Sequence, residues 1–192
     1  MRVFAIIIII LLLCIACEHK IPMRNGVSFQ EASSVLFKAS RLYIIFDDNQ
    51  YLIKENINTY ITLKKFVQEW VNARIKIDGN GDKNLKVTVK EFSITKIDEV
   101  LDNSKILASL LTKPSEVYKS NLSISLEFYL PDSLFPANIM TISASCTKSL
   151  AKNALIYERE QFFEDIIKRL MTDIDIEFNK NVNIYLGELT TF

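Results

Sequence analysis

The sequence predicts an α+β fold: a mixed four-stranded sheet with two helices on one face, in the order β-α-β-β-β-α, preceded by a signal peptide. Two stretches carry apolar residues at three- and four-residue spacings, which is the pattern of amphipathic helices. Four others alternate apolar and polar residues or form short β-branched and aromatic runs, as strands do. This order of elements is typical of an α+β layout in which both helices pack on the same side of the sheet.

The chain opens with an apolar run from Val3 to Cys17, preceded only by the charge of Arg2. The run is shorter than the about 20 residues that a membrane-spanning helix needs. A charged start, an apolar middle and small residues near a cut point are the order of a secretory signal. We therefore expect a signal peptide at residues 1–16, a tether at 17–38 and a single domain at 39–192, in a chain of 192 residues.

The end of this run, "LLLCIAC", resembles the lipobox of bacterial lipoproteins, in which an aliphatic and a small residue precede an invariant cysteine. Ala16 and Cys17 match, Ile15 is tolerated, and Cys14 stands where leucine is usual. The resemblance implies cleavage after Ala16 and acylation of Cys17 with diacylglycerol and an amide-linked chain such as palmitate. Several acyl chains on one residue form a stable membrane anchor. An ordinary signal peptide with incidental cysteines is the alternative.

Charge and cysteine usage narrow the class of protein. The 23 Lys and Arg residues balance 23 Asp and Glu residues, so nothing favours nucleic acid as a partner. The one histidine, His19, lies in the predicted tether, and Cys146 has no disulfide partner if Cys14 is removed and Cys17 is acylated. The domain therefore has no histidine, no Gly-rich phosphate loop and no ligand cluster with metal spacing, and we expect no catalysis, cofactor or metal. A lipid-anchored periplasmic hydrolase using carboxylates and serines is the alternative.

The first half of the domain is predicted to contain a strand and a helix. Residues 40–46 form a β-branched and aromatic run that ends in an Asp-Asp-Asn turn signal. Residues 61–77 carry an apolar stripe, with Thr62 as a candidate N-cap. Trp70 lies on that stripe, which favours packing in the core over an exposed binding role.

The stretch "IDGNGDKN" that follows the helix contains Asp78, Asn80 and Asp82 at the spacing found at the start of a calcium loop. Such a loop needs Gly at its sixth position and Glu at its twelfth, where this chain has Lys83 and Val89. Two glycines among Asp and Asn are typical of a turn between a helix and a strand, which is what we predict.

Three strands and a long helix are predicted in the second half. A phase change in the first strand, between Val89 and Phe92, predicts a β-bulge near Glu91. "NLSISLEFYL" and "NIMTISASC" should pair as an antiparallel hairpin, with Cys146 buried and chemically inert on the core face. The last helix should span about 25 residues, with a stripe formed by Phe162, Phe163, Ile166, Ile167, Leu170, Met171, Ile174 and Phe178.

One segment between the second and third strands fits no element. It is too long for a tight turn and carries "ILASLL" at its centre. Loops of this size are commonly functional or disordered. We expect its apolar residues to contact a partner, with a short turn folded onto the core as the alternative; these residues are Ile106, Leu107, Leu110 and Leu111.

The lipobox and the order of elements together resemble small accessory lipoproteins of the Gram-negative envelope, such as the LPS-assembly lipoproteins and the auxiliary lipoproteins of ABC-type transport systems. The shared pattern includes Glu158 to Gln161 at the start of a helix and Leu170, Met171 and Asp173 midway. The resemblance implies a fold and a periplasm-facing location, and it transfers no catalytic residues. Together with the predicted anchor and the lack of a chemical constellation, it leads us to expect a non-catalytic protein that binds an envelope protein or a lipid. Glu18, where aspartate would signal retention at the inner membrane, favours the outer membrane.

Overall fold

The structure is a computed structural model, and it describes residues 29, 33–46, 57–97 and 115–191. The described chain contains seven strands and two helices. A 3-10 turn at Gly187–Leu189 joins the last helix to the last strand. In order, the strands and helices are β1 Val35–Phe37, β2 Arg41–Phe46, α1 Ile57–Arg74, β3 Ile75–Ile77, β4 Asn84–Ile97, β5 Ser115–Tyr129, β6 Asn138–Ala151, α2 Ile156–Leu186 and β7 Thr190–Thr191.

The main sheet confirms the predicted fold class. Its strand order is β2-β4-β5-β6. β2 runs parallel to β4, whereas β4, β5 and β6 are mutually antiparallel, which makes the sheet mixed. The predicted hairpin is the pair β5 and β6, and both strands are longer than the alternating pattern alone indicated. The two helices supply the layer that covers the sheet.

A second, three-stranded sheet of order β3-β1-β7 was not predicted. β1 pairs in parallel with β3 and antiparallel with β7. Its strands have only two or three residues, too few to show a period. The predicted helix at 61–77 was wrong at both ends, because α1 begins at Ile57 and residues Ile75–Ile77 form β3. Thr62 therefore lies inside the helix and is not its N-cap.

The core lies between the helices and one face of the main sheet. The predicted helical stripes are buried, and Trp70 is fully buried, as predicted. The β-bulge is confirmed, since the register shifts between Val89 and Glu91 and returns Phe92 to the core. Burial of each large apolar side chain is worth about 1.5–3 kcal/mol. The sheet contributes Leu85, Val87, Val89, Phe92, Leu122, Ile124, Leu126, Phe128, Met140, Ile142 and Ala144 to this core.

The folded domain begins ahead of residue 39, inside the stretch predicted as a tether. Phe37 is fully buried, and its ring lies 5.6 Å from that of Phe128. Phe29 is also part of the core. In the part of this stretch that the structure describes, strand β1 is only three residues long and pairs with strands far away in the chain, which is why the sequence reads as irregular there.

A buried polar cluster joins the two helices. The Arg74 guanidinium, 1% exposed, donates to Asp175 Oδ1 at 2.7 Å, to Asn179 Oδ1 and to the carbonyl oxygen of Ser33. The Trp70 indole N–H donates to the same carboxylate oxygen at 2.9 Å. Asp175 thus accepts hydrogen bonds from two large side chains of α1, and we name these residues the helix clamp.

Candidate interaction surfaces

The residues singled out from the sequence lie largely outside the described part of the chain. Cys17 and His19 belong to residues 1–28, and the apolar segment of Ile106, Leu107, Leu110 and Leu111 belongs to residues 98–114. Lipidation of Cys17 and partner binding by the apolar segment therefore stay predictions. The described residues contribute two further surfaces, and sequence reasoning had identified neither of them.

The first surface is the face of the main sheet opposite the helices, which we call the outer face. Tyr43, Ile45 and Ile139 are 41%, 39% and 53% exposed there. Lys86 pairs with Glu127, and Glu127 pairs with Ile139. These three residues therefore form one row across β4, β5 and β6. Hydroxyl side chains occupy much of the rest: Thr88, Ser123, Ser125, Thr141 and Ser143. Of these groups, aromatic side chains such as Tyr43 are of the kind that is enriched at protein interfaces.

A carboxylate network lies on the outer face, on the two middle strands β4 and β5 and close to the end of β5. Glu127, only 4% exposed, receives hydrogen bonds from Ser125 Oγ and Tyr129 Oη, each at 2.7 Å, and its Oε1 lies 2.5 Å from Lys90 Nζ. Burial by itself would raise the pKa of Glu127, but the bonds from Lys90, Ser125 and Tyr129 outweigh it and lower the pKa. The Lys86 ammonium lies 4.0 Å from the centre of the Tyr129 ring. The network holds Glu127 ionised and fixes Tyr129 on the surface.

Three donors engage the two oxygens of Glu127: Ser125 Oγ and Lys90 Nζ contact Oε1, and Tyr129 Oη donates to Oε2. Across residues 29, 33–46, 57–97 and 115–191, no three His, Cys, Asp or Glu side chains come together as a metal site would require.

A second carboxylate network lies at the opposite end of the sheet. Glu116 accepts hydrogen bonds from Lys96 Nζ at 2.7 Å, Arg159 Nη1 at 2.8 Å and Tyr118 Oη at 3.0 Å. The bond from Lys96, followed by that from Arg159, lowers the pKa of Glu116 to about 2. Through these bonds Glu116 ties β4 and β5 to the first turns of α2.

The Glu116 network should make stability depend on pH. Because the folded-state pKa lies below the ordinary value, the stabilisation is complete above about pH 5 and is lost as the pH falls toward 2. Glu116→Gln should lower the free energy of unfolding at pH 7 and have little effect near pH 2, as urea unfolding at several pH values can measure. Glu164→Gln, at an exposed pair with Lys168, is the control. An effect of Glu116→Gln that is equal at both pH values would contradict the assignment.

The second surface is the connection between β5 and β6, residues 130–137, which we call the apolar turn. Leu134 and Phe135 are 89% and 79% exposed there. Internal bonds order the turn: Ser133 Oγ donates to the Phe135 carbonyl at 2.8 Å, and Ala137 N donates to the Phe128 carbonyl at 2.7 Å. The signal in the sequence was "LPDSLFPA", in which two prolines flank two large apolar residues in a turn.

Cys146 differs from its predicted burial. It lies on the core face of β6, in phase with Met140, Ile142 and Ala144 as predicted, but it is half-buried. Burial fades along the strand, since Lys148, the next residue on that face, is also half-buried. The remaining burial raises the pKa of the Cys146 thiol, which disfavours the reactive thiolate.

Neither helix of the described chain combines the length and the apolar character needed to cross a membrane. No protein-family model matches the sequence, and no curated protein matches it either. Similar folds occur among solved structures. Rare lipoprotein B from Shewanella oneidensis is 12% identical, with a TM-score of 0.44, and the match covers 75% of this chain and 98% of that chain.

Two further solved structures are similar to this chain. A minor lipoprotein from Acinetobacter baumannii is 9% identical, with a TM-score of 0.37 and coverage of 81% of this chain and 98% of that one. Lipoprotein B from Nitrosomonas europaea is 11% identical, with a TM-score of 0.37 and coverage of 82% and 96%. All three of these structures are lipoproteins, and the similarity of this chain to them concerns the fold alone.

Proposed function

We propose that this protein is a lipid-anchored accessory lipoprotein of the cell envelope that faces the periplasm and holds a partner protein or a lipid at the membrane without catalysis. The observation that carries the proposal is "LLLCIAC", which ends a signal-like apolar run at Cys17. Acylation of Cys17 would keep the folded domain at the membrane surface. Glu18 after that cysteine supports an anchor in the outer membrane.

The carboxylates in the described part of the chain support an accessory role over a hydrolase. Asp78 Oδ1 accepts hydrogen bonds from the backbone N–H groups of Ala39 and Asn80 and so stabilises a turn. Glu158 accepts the Leu155 N–H at the start of α2 at 2.7 Å. Glu116 and Glu127 are held by cationic and hydroxyl donors. Each of these four carboxylates therefore has a structural role that explains its position.

The outer face is the surface that we assign to the protein partner. It is wide, because it extends across all four strands of the main sheet, and its exposed apolar residues lie on both outermost strands, β2 and β6. The Glu127 network keeps the middle rigid, so little side-chain entropy is lost when a partner binds. A partner that covers Tyr43, Ile45 and Ile139 would bury three of the large apolar side chains exposed on this face.

A photo-cross-linking amino acid placed in living cells tests both parts of the proposal. We expect Thr141, on the outer face, to give a discrete cross-linked product, whereas Asn183, on the exposed side of α2, should give none. Cys17→Ser should abolish labelling by a lipid analogue and weaken the cross-link, because the unanchored domain is diluted away from its partner. Cys14→Ser is the matched control and should behave as the unmodified protein.

Three results would contradict the proposal. Lipid labelling that survives Cys17→Ser and is lost in Cys14→Ser would remove the anchor assignment. Equal cross-linking from Thr141 and Asn183 would remove the outer face as the partner surface. Turnover of ester, phosphate or peptide substrates by the purified domain would favour the hydrolase instead.

A further inference from the structure

We propose that the apolar turn is a second membrane contact, which inserts Leu134 and Phe135 into the interface of the membrane that holds the lipid anchor. The inference rests on the proposed anchoring at Cys17 and adds an orientation of the domain to it. The occupant of this surface is thus a lipid interface, and the argument comes from the chemistry of the turn and from where the chain enters the domain.

The chemistry of the turn suits a lipid interface. Asp132 is the only charged residue in residues 130–137, and two of the eight are prolines. Leu134 and Phe135 lie next to each other at the tip and are almost fully exposed. Ordered by its own hydrogen bonds, the turn keeps these side chains in solvent instead of folding them onto the domain. A preorganised apolar tip loses little conformational entropy on insertion, and membrane affinity grows with the apolar area that is buried.

The turn lies at the end of the domain where the chain from the anchor enters. Arg41 pairs with Asn84, and Asn84 pairs with Tyr129, so the starts of β2 and β4 and the end of β5 form one row. The apolar turn follows directly after Tyr129. β1 and Ser33 precede Arg41 and lie beyond the same row, which we call the near end of the sheet.

The length of the tether favours the near end over the far end. Cys17 lies 12 residues ahead of Phe29, which is buried in the core, and 12 residues of chain can reach at most about 43 Å. β5, with 15 residues, is about 50 Å long. The far end, marked by Leu155, Ile156 and Tyr157 at the start of α2, is also apolar and exposed. Bringing that end to the membrane would require the tether to run extended along the domain, at a cost in entropy.

Fluorescence from single labelled cysteines tests the proposal on the mature, acylated protein in vesicles of phosphatidylethanolamine and phosphatidylglycerol. In a Cys146→Ser background, Leu134→Cys and Tyr157→Cys each receive an environment-sensitive dye. We expect emission from position 134 to shift to the blue, to rise several-fold and to be quenched by lipids with shallow nitroxides. A dye at position 157, the matched apolar control at the far end, should keep the emission of a dye in water and should not be quenched.

A second variant keeps the test independent of the label at the tip. With the dye attached at Ala137→Cys, quenching by the nitroxide lipids reports insertion of the turn. Adding Leu134→Ser and Phe135→Ser should remove this quenching. Both replaced side chains are too exposed to be needed for folding. Co-flotation with vesicles reports the anchor separately, so loss of anchoring and loss of insertion are distinguishable.

Three outcomes would overturn the inference while the protein still floats with vesicles. Position 134 could report water, or position 157 could be the one that is quenched. A blue shift at position 134 that appears without vesicles and grows with protein concentration would show that a second copy of the chain covers the turn.

Discussion

Asp175→Ala should destabilise the domain by about 3–5 kcal/mol, because it leaves the buried Arg74 guanidinium without its counter-charge. Arg74 is 1% exposed, so water cannot take the place of the lost carboxylate. The variant also removes the acceptor of the Trp70 indole N–H. Thermal and urea unfolding of the soluble domain would measure the loss.

Asp173→Ala is the matched control for the helix clamp. Asp173 lies on the same helix and pairs with Arg169 at 3.0 Å, but the Arg169 side chain is 53% exposed. Exposed pairs of this kind contribute about 0.3–0.5 kcal/mol. Asp175→Asn should fall between the two alanine variants, since it keeps an acceptor for Trp70 and loses the charge. Equal stability of the Asp175→Ala and Asp173→Ala variants would show that the helix clamp does not hold the helices together.

Gly81→Ala should cost about 3 kcal/mol or more, through overpacking of the backbone. A Cβ at this position would lie 2.4 Å from the carbonyl carbon and oxygen of Lys38 and 2.5 Å from the Ala39 nitrogen. These are backbone atoms, so the clash can be relieved only by moving the link between β1 and β2 away from the link between β3 and β4.

Gly187→Ala is the control for that variant. Gly187 has helical angles of φ −57° and ψ −35°, and a Cβ there meets nothing within 4 Å. Such a change should be neutral or should stabilise by up to about 1 kcal/mol, because alanine restricts the unfolded chain. Comparing midpoints of urea unfolding for the two variants checks the expectation. A Gly81→Ala variant as stable as Gly187→Ala would mean that the two links do not approach as described.

The main sheet and the helices could be predicted because their signals are local. The alternation of apolar and polar residues along β4, β5 and β6 indicates which side chains face the core. The change of phase between Val89 and Phe92 locates the bulge. The three-stranded sheet could not be predicted, because β1 gains its partners from residues about forty and one hundred and fifty positions away. In the sequence, Gly81 is indistinguishable from an ordinary turn glycine. Only the structure shows that the Lys38 backbone leaves no room for a side chain at this position.

The interaction surfaces were harder to predict than the fold. The sequence places Glu127 on the polar face of a strand, where a solvated carboxylate is the ordinary expectation. Its side chain instead pairs with Lys90, which lies on another strand at the bulge. Likewise, Arg74 and Asp175 are a hundred residues apart, and their pairing follows from the crossing of two helices. Such contacts depend on tertiary geometry, which periodicity does not encode.

The position of β1 determines how the domain bears mechanical load. Any pull from a membrane anchor at Cys17 would reach the buried Phe29 first, then Ser33, and next β1. That strand is held on one side by β3 and on the other by β7, and the Lys38 N–H donates to the Leu189 carbonyl at 2.8 Å. Traction is therefore shared between the beginning and the end of the chain before it reaches β2. Thr190–Thr191, the last residues that the structure describes, thus hold β1 in place by pairing with it.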